Sequence, residues 1–213
     1  MSTSKKVRKK SRLSNGMPAS TLPTRERVLE AAAKVLSEKA YAGTRLIDVA
    51  ELAGLEAPAI YYYFPSRDEL IAQVMEVGQV RLREHVEQVL NALPPESTPM
   101  DRICAAIEAH LRMELQLSDF AKAVSRNSGQ VPLDIRSRQR EAGAAYFEMW
   151  RDLLEEAREQ GQIRPGLDLR AARMLIIGAL NWTPEWWNPR KGSLDVMIRT
   201  AQKLIRSALS ADS

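Results

Sequence analysis

Residues 44–69, TRLIDVAELAGLEAPAIYYYFPSRDE, decide the fold of this 213-residue chain. A short segment with apolar residues at helical spacing precedes Gly54, and a second segment of about seven residues opens with Pro58. A glycine just past a helix end can take the left-handed conformation of a sharp turn, and a proline fits the first helical turn, where its missing N–H would have no partner. The stretch therefore predicts two short helices joined by a tight turn, a layout that suits insertion of the second helix into a DNA major groove.

Helices are also predicted on both sides of this stretch. Upstream, Thr24 is predicted to cap a first helix with one buried apolar face. Downstream, Ser66 and Glu69 have the spacing of a capping box, with Ser66 as the N-cap residue and Glu69 at the third helical position. Apolar residues then continue at helical spacing from Leu70 to Leu90. A helix of about 25 residues should therefore connect the turn to the rest of the chain.

The order of these features resembles that of the tetracycline-repressor family of transcriptional regulators. Gly54, the aromatic run at residues 61–64 and the helix start at Ser66 all fall in the register of that family, and the resemblance runs from about Thr24 to Leu70. It implies an all-α protein of about nine helices. A three-helix DNA-binding unit would form the N-terminal part, and a helical domain for ligand binding and dimerisation would follow.

Candidate DNA-binding residues follow from the residue chemistry and from the resemblance. Hydroxyl and guanidinium groups at helix starts can bind phosphates, and Arg45 could instead reach a guanine edge. Members of this family often carry a basic residue where this chain has Ile47, which puts one expected contact in doubt and shifts its role to Arg45. The predicted DNA-binding residues are Thr24, Thr44, Arg45, Ala57, Pro58, Ala59, Tyr61, Tyr62 and Arg67.

Several of these residues also have a purely structural interpretation. Thr24 could serve only to cap its helix, and the tyrosines could pack in the core. We assign Ile60 and Phe64 to the core and Tyr62 to the groove, and leave Tyr63 open. Because alanine offers methyl contacts but no hydrogen bonds, sequence choice should depend on Arg45, thymine methyls and DNA shape.

The composition excludes several classes of protein. One cysteine, Cys104, leaves no disulfide framework, and two histidines, His85 and His110, leave too few ligands for a structural zinc site. No apolar run approaches the ~18 residues of a membrane span. The sequence shows no catalytic set of a nucleophile, a base and an orienting group, and no glycine-rich phosphate-binding loop. We therefore expect a cytoplasmic protein with no catalytic residues, metal site or cofactor, and both histidines on the surface or in the core.

Charge is distributed unevenly along the chain. The formal net charge is +4, yet residues 1–22 contain six basic residues and no acidic one, which leaves 25 basic and 27 acidic residues elsewhere. We predict a disordered basic tail at 1–22, a DNA-binding domain at 23–70 and a ligand-binding and dimerisation domain at 71–213. The tail could strengthen DNA binding in a salt-dependent way, or act only as a solubilising leader.

The second domain is predicted to contain five further helices after the breaker cluster at residues 93–99. No segment alternates like a strand. The last two helices each have an apolar face, and the resemblance implies that such helices from two chains form a four-helix interface, although both could instead complete the monomer core. The predicted homodimer contacts are Leu175, Ile176, Ala179, Met197, Ala201, Leu204 and Ile205.

An aromatic loop is predicted at residues 181–189, which hold three of the four tryptophans. This stretch is similar to the branch of the family that senses acyl-coenzyme A thioesters, which implies such a thioester as the effector. Flat apolar groups with N–H donors suit a pocket wall, although a lid over the core is the alternative. The candidate ligand-binding residues are Met113, Tyr146, Met149, Trp150, Trp182 and Trp186.

These features favour a repressor that binds a palindromic double-stranded operator as a homodimer and is released by a small molecule. Two alternatives remain at this stage: a helical DNA-binding protein without a ligand, and a small helical enzyme. A second domain without a cavity would favour the DNA-binding protein without a ligand.

Overall fold

The computed structural model describes residues 22–210, and over this range it is built from nine α-helices and one π-helical turn. The all-α fold class is confirmed, and the only β-type pairing within this range is an isolated bridge between Ile163 and Ser210. The predicted basic tail lies outside the described residues, except for Leu22. The helices are α1 Thr24–Gly43, α2 Leu46–Ala53, α3 Ala57–Ile60, α4 Arg67–Asn91, α5 Pro99–Arg112, α6 Asp119–Asn127, α7 Leu133–Glu159, α8 Leu169–Trp186 and α9 Leu194–Leu209.

The turn between α2 and α3 has the predicted geometry. Gly54 ends α2 with φ 67° and ψ 43°, in the left-handed region. α3 is shorter than the predicted seven residues, because the chain tightens after Ile60, whose carbonyl accepts hydrogen bonds from the backbone N–H groups of Tyr63 and Phe64. This tightening turns the buried Phe64 toward the domain while Tyr62 stays outside.

Two predicted helix caps need correction. Pro23, not Thr24, takes the extended backbone conformation at the start of α1, and its carbonyl accepts the first helical hydrogen bond, from the N–H of Arg27. At α4, Ser66 caps as predicted and accepts a 3.0 Å bond from the backbone N–H of Glu69. The Glu69 carboxylate does not complete the capping box, because it binds Arg138 and Gln73 instead.

The described residues form two apolar clusters. The first cluster holds the buried faces of α1, α2, α3 and the start of α4, together with residues that come much later in the chain: Phe120, Ala123, Val124, Val131 and Ile135. The second cluster joins the end of α4 to α5, α7, α8 and α9. α4 therefore crosses both clusters, and the DNA-binding unit is completed by α6, which lies beyond the predicted boundary at residue 70.

α4 and α6 pack unusually closely at Gly78. A Cβ placed there would lie 2.5 Å from Cγ2 of Val124 and 2.8 Å from the carbonyl oxygen of Phe120. Only glycine allows this approach. Because the two helices are in direct contact here, a displacement of α6 should also displace α4.

The prediction of an aromatic loop is wrong for residues 181–186, which are helical. α8 continues to Trp186 with Pro184 inside its last turn, and the N–H of Trp187 donates to the carbonyl of Thr183 to close it. A proline removes one backbone donor, but the loss is small in a final turn next to bonded neighbours. Trp182 and Trp186 consequently lie four residues apart on one helix face. Within the described part of the chain, no helix is long and apolar enough to cross a membrane.

Candidate DNA-binding surface and ligand cavity

The turn after α3 presents two tyrosines to solvent. Tyr62 is 86% exposed and Tyr61 is 57% exposed, whereas Ile60 and Phe64 are fully buried. Tyr63 is half-buried and packs edge-on against Tyr62, with ring centroids 5.0 Å apart. The phenol groups of Tyr61 and Tyr62 are therefore available for phosphates and sugars.

The same surface includes the start of α2 and α3. Arg45 is exposed at the N-cap position of α2, and no ion pair or hydrogen bond of its side chain is found among residues 22–210. Pro58 is exposed, and Ala57 and Ala59 are half-buried. Of the predicted DNA contacts, Arg45, Pro58, Tyr61 and Tyr62 thus lie on one accessible surface, which we call the α2–α3 surface.

Two predicted phosphate ligands are used inside the chain instead. Thr44 is buried, and its hydroxyl donates a 2.8 Å hydrogen bond to the carbonyl of Ala40. The Arg67 guanidinium lies over the Tyr41 ring at 4.3 Å and donates to the carbonyl oxygens of Tyr41 and Thr44. Buried carbonyls at the end of a helix need donors, so Arg67 joins the end of α1 to α4.

The start of α1 offers less to DNA than expected. Thr24 is half-buried in the first turn and makes no side-chain capping bond. Its exposed neighbour Arg25 donates to Gln73 and lies 5.2 Å from the centre of the Phe64 ring. Arg25 therefore holds α1 to α4 across the buried Phe64.

An ion-pair cluster connects the first turns of α4 to α7. The Arg138 guanidinium donates to both carboxylate oxygens of Glu69, at 2.7 and 3.1 Å, and to Glu76 at 2.5 Å. The bonds from Arg138 and Gln73 lower the pKa of Glu69 to about 2, and those from Glu69 and Glu76 raise the pKa of Arg138. Arg138 is the neighbour of Gln139, so this cluster connects α4 to a wall of the cavity described next.

α6 makes a second connection to the DNA-binding unit. The Asn127 side chain accepts from the N–H of Tyr41 at 2.7 Å and donates to the carbonyl of Leu36 at 3.3 Å, while Arg126 donates to the carbonyl of Ser37. These bonds hold the last turns of α1, which lead into α2.

A cavity of about 190 Å³ lies in the second domain, between α4, the π-helical turn, α6, α7 and α8. A larger open groove of about 500 Å³ lies beside α1 and α2, but the smaller cavity is deeper and brings together buried polar groups, which is typical of ligand sites. Its lining residues are Gln79, Leu82, Glu114, Val124, Ser128, Gln139, Arg140, Gly143, Tyr146, Phe147, Ile177 and Asn181.

The most unusual group in the cavity wall is Glu114. It lies in the π-helical turn Met113–Leu117, its side chain is 1% exposed, and one carboxylate oxygen accepts a 2.8 Å bond from Ser125 of α6. Burial raises the pKa of Glu114 to about 7, because a carboxylate loses its hydration there. Glu114 therefore holds its proton to a much higher pH than an exposed glutamate does.

Two further buried groups accompany Glu114. The Nδ1 atom of His110 lies 2.7 Å from the Tyr146 hydroxyl. Burial lowers the pKa of His110 to about 3, so its ring is neutral, and burial also raises the pKa of Tyr146. His110 thus belongs to the core, as one of the two predictions for it stated, but it supports a residue of the cavity wall.

The candidate ligand residues are mostly placed elsewhere. Tyr146 lines the cavity, whereas Met113 and Trp150 are buried in the second cluster, and Met149 borders an outer groove with Glu87 and Glu156. Trp182 and Trp186 are 65% and 51% exposed on the outside of α8. They do not contact the cavity because α8 turns these positions away from α7.

Glu114, Gln139 and Asn181 of the cavity wall were missed by the sequence reasoning. One signal could have found Glu114: it falls on the buried stripe of α5 and the following turn, three residues after Leu111 and seven after Ile107. An acid on an apolar helix face is a buried polar group in search of a partner. Asn181 opens the aromatic stretch that the sequence did single out, but only the tryptophans there were selected, and nothing in the sequence around Gln139 marks it.

The predicted dimer contacts divide into two groups. Leu175 is 74% exposed and Leu204 is 66% exposed, Ala179 is also exposed, and Met197 and Ile205 are half-buried. Ile176 and Ala201, however, are buried in the second apolar cluster of the monomer, which leaves them little surface for a second copy. The exposed apolar residues on α8 form a stripe, which we call the α8 stripe: Leu175, Ala179, Trp182 and Trp186.

Metal ligands do not cluster in the described part of the chain. Across residues 22–210, no group of three or more His, Cys, Asp or Glu side chains could hold a metal ion.

Comparisons with known proteins agree with this architecture. A sequence model described as "Bacterial regulatory proteins, tetR family" matches residues 28–74, and one described as "Tetracyclin repressor-like, C-terminal domain" matches residues 96–206. A fatty acid metabolism regulator protein of Bacillus subtilis is 22% identical over 189 residues, which are 88% of this chain and 96% of that protein. The HTH-type transcriptional repressor KstR2 of Mycobacterium tuberculosis is 24% identical over 169 residues, 78% of this chain and 82% of the relative.

Solved structures show the same fold. FadR of Bacillus subtilis, in complex with stearoyl-CoA, superposes with a TM-score of 0.73 at 22% identity, over 86% of this chain and 98% of that chain. AibR, in complex with isovaleryl coenzyme A and operator DNA, superposes with a TM-score of 0.76 at 18% identity, over 89% of this chain and all of the other.

Proposed function

The chain belongs to the tetR family of bacterial regulatory proteins, and from this premise we propose that it is a cytoplasmic transcriptional repressor that leaves its operator when a small molecule fills the cavity. The family resemblance of the turn region is thereby confirmed. The observation that carries the proposal is the combination of an exposed α2–α3 surface with a partly enclosed cavity that contains buried polar groups, joined by α4 and α6. An architectural DNA-binding protein would have no use for such a cavity.

The α2–α3 surface is proposed to enter the major groove. Arg45 would bind a phosphate or a guanine edge, and Tyr61 and Tyr62 would bind phosphates and sugars. Pro58, with Ala57 and Ala59 where they are accessible, would contact thymine methyl groups. Because this set offers few hydrogen bonds to bases, much of the operator choice should come from DNA shape.

We further propose a homodimer that uses the α8 stripe. A helix-turn-helix protein reads two half-sites about 34 Å apart, and the exposed Leu175, Trp182 and Leu204 form an apolar surface that a second copy would cover. Sedimentation of Leu175→Glu should show a monomer. Leu133→Glu, at an equally exposed leucine outside the stripe, should leave a dimer, and a dimeric Leu175→Glu variant would overturn this interface.

The proposed effector is an acyl-coenzyme A thioester. One relative of this chain is named a fatty acid metabolism regulator protein, and two proteins of the same fold were solved with coenzyme A thioesters. In this chain, Leu82, Phe147 and Ile177 offer apolar walls for an acyl group. Arg140 lies exposed at the edge of the cavity, without an ion pair inside the described range, where it could meet a phosphate.

Two routes could carry the response from the cavity to DNA. Ser125, bonded to Glu114, precedes Arg126 and Asn127, which hold the end of α1. Arg138 immediately precedes Gln139, the first α7 residue of the cavity wall, and it binds Glu69 at the start of α4. A ligand that moves either helix would change the spacing of the two α2–α3 surfaces, and it releases DNA only by its difference in affinity for the two states.

We also propose that the chain is not an enzyme. Its named relatives are transcriptional regulators. The buried set of Tyr146, His110 and Glu114 is a poor catalytic group, because burial raises the pKa of the tyrosine and lowers that of the histidine. A neutral imidazole that is hydrogen-bonded to an un-ionised phenol supports a cavity wall but activates no nucleophile.

The decisive experiment begins with selection of bound fragments from the genomic DNA of the source organism. Arg45→Ala combined with Tyr62→Ala should abolish enrichment, while Arg151→Ala, at an exposed arginine paired only with Asp152, should not. Titration of the bound fragment with acyl-CoA thioesters, free acids and free coenzyme A should then show release by a thioester. No enriched fragment would overturn the repressor proposal, and tight binding without release by any thioester would overturn the effector class.

A further inference from the structure

Resting on the proposed effector class, we propose that the cavity prefers an acyl group with a hydroxyl, bound between Gln139 and Glu114, over a saturated acyl group of the same length. The lining residues include the polar side chains of Glu114, Gln139 and Asn181 beside the apolar side chains of Leu82, Phe147 and Ile177. A cavity for a plain alkyl chain would have no need of these groups, because a buried polar atom without a partner is unfavourable.

Gln139 shows which kind of group is needed. Its Nε2 atom donates a 2.7 Å bond to the Ser128 hydroxyl, and that hydroxyl donates its only proton to the carbonyl of Val124 at 2.6 Å. Ser128 can therefore only accept from Gln139, which fixes the orientation of the amide. The Oε1 atom of Gln139 is then left buried without a partner. A hydrogen-bond donor on the occupant would satisfy it.

Glu114 supplies the complementary half. Its buried side chain already accepts a bond from Ser125. Because burial raises its pKa to about 7, the carboxyl group carries a proton at slightly acid to neutral pH and can donate it in a hydrogen bond. A hydroxyl group both donates and accepts, so in the proposed binding mode it would donate to Gln139 and accept from Glu114. A ketone accepts from Glu114 but gives nothing to Gln139, and a methylene satisfies neither.

Water is the competitor for this position. A cavity of about 190 Å³ has room for several water molecules. An occupant that displaces waters without reproducing their hydrogen bonds loses affinity, whereas one that reproduces them does not. A saturated chain would therefore bind less tightly than its hydroxylated counterpart, despite its greater hydrophobicity.

The test uses the full chain and four probes: butyryl-CoA, 3-hydroxybutyryl-CoA, acetoacetyl-CoA and free coenzyme A, titrated calorimetrically at pH 6.5. We expect 3-hydroxybutyryl-CoA to bind about tenfold more tightly than butyryl-CoA. In Gln139→Met, which keeps the side-chain length but removes the amide oxygen, this ratio should fall to about twofold or less. Gln160→Met, at an exposed glutamine that ends α7, should leave the ratio unchanged.

Ser128→Ala provides a second variant that does not remove Gln139. Without the hydroxyl that fixes its orientation, the amide can turn and donate, so acetoacetyl-CoA should gain affinity relative to 3-hydroxybutyryl-CoA. Operator binding by each variant shows that it is folded. A different result with Ser128→Ala would contradict the fixed orientation of Gln139.

The outcomes separate this inference from the proposed function. If thioesters bind and release the operator but butyryl-CoA binds as tightly as 3-hydroxybutyryl-CoA, only the hydroxyl preference is overturned. The same holds if Gln139→Met retains the preference. If no thioester binds while operator binding persists, both the effector class and the hydroxyl preference are overturned, and the DNA-binding regulator remains.

Discussion

The two apolar clusters of this molecule differ in whether their buried polar groups have hydrogen-bond partners. In the first cluster region, Ser37, Thr44 and Asn127 are buried, and each side chain has a backbone hydrogen-bond partner. In the second domain, Glu114 is buried beside a cavity, and one atom of Gln139 has no partner. A fully satisfied core specifies one geometry. If a buried polar atom has no hydrogen-bond partner, the free energy of the folded chain depends on whether a ligand supplies that partner. A ligand-controlled switch requires such a dependence.

The physical connection between the regions is short. α4 passes through both clusters, and α6 contributes Phe120 and Val124 to the first cluster while its Ser125 bonds to Glu114. α4 and α6 are in direct contact at Gly78, where no space remains for a side chain. A change at the cavity can therefore reach the DNA-binding unit without a long chain of intermediates.

The largest effect is expected from a cavity in the first cluster. Phe64→Ala removes a fully buried aromatic side chain and should lower the free energy of unfolding by about 3–5 kcal/mol. Tyr62→Ala, two residues away on the exposed side, should change it by less than about 0.5 kcal/mol while weakening operator binding. Urea unfolding and operator titration measure both. A loss below about 1 kcal/mol for Phe64→Ala would show that the first cluster is not the tightly packed region.

The next effect concerns the buried acid of the second domain. Its folded-state pKa of about 7 lies above the ordinary value of 4.5, so the folded chain holds this proton more tightly and stability decreases as the pH rises from 4.5 through 7. Glu114→Gln removes that decrease. Between pH 4 and pH 8.5, the variant should gain about 3 kcal/mol relative to the unsubstituted chain.

Unfolding curves across this pH range measure that gain, with Glu141→Gln, at an exposed position of α7, as the control. A difference between Glu114→Gln and the unsubstituted chain that does not change with pH would contradict a buried, neutral Glu114. It would also remove the distinction between the two clusters.

The smallest effect on stability is expected at the bond between the regions. Arg138→Met removes the ion pairs to Glu69 and Glu76, which are partly exposed, so the loss at pH 7 should be only about 1 kcal/mol. Since the pKa of Glu69 is lowered to about 2, the stabilisation is present above pH 4.5 and disappears as the pH falls through 2. The effector should also release the operator severalfold less efficiently.

Urea unfolding at several pH values and operator release by the effector measure these two changes. Arg151→Met, which removes an ion pair on the exposed face of α7, should alter neither. If Arg138→Met leaves operator release unchanged, the Arg138 cluster is not a route between the cavity and the DNA, and α6 would be the remaining connection.

The sequence predicted local structure well and side-chain direction less well. Gly54 ends a helix and Ser66 begins one as expected, because their effects depend on backbone groups within a few residues. Arg67 has the composition and position of a phosphate ligand, yet it points inward to the carbonyls of Tyr41 and Thr44. A helix start can serve DNA or the fold, and only the packing of α1 against α4 decides between them.

The aromatic stretch of α8 shows the same limit. The tryptophan cluster beside two prolines favoured a loop that covers the ligand. Instead, the N–H of Trp187 donates to the carbonyl of Thr183, so the helix continues and Trp182 lies on its exposed face. Helical phase then determines which residues face the cavity. Asn181 lines it, although it is the neighbour of Trp182.

The sequence by itself determined most of the helices and their order, because periodicity, caps and turn residues act over short distances. Only the tertiary structure decided that Glu114, Gln139 and Asn181, from three separate segments, surround one cavity. It also decided that the pKa of Glu114 is raised to about 7. A pKa depends on how much water the surrounding helices exclude, and that exclusion exists only once the helices have packed.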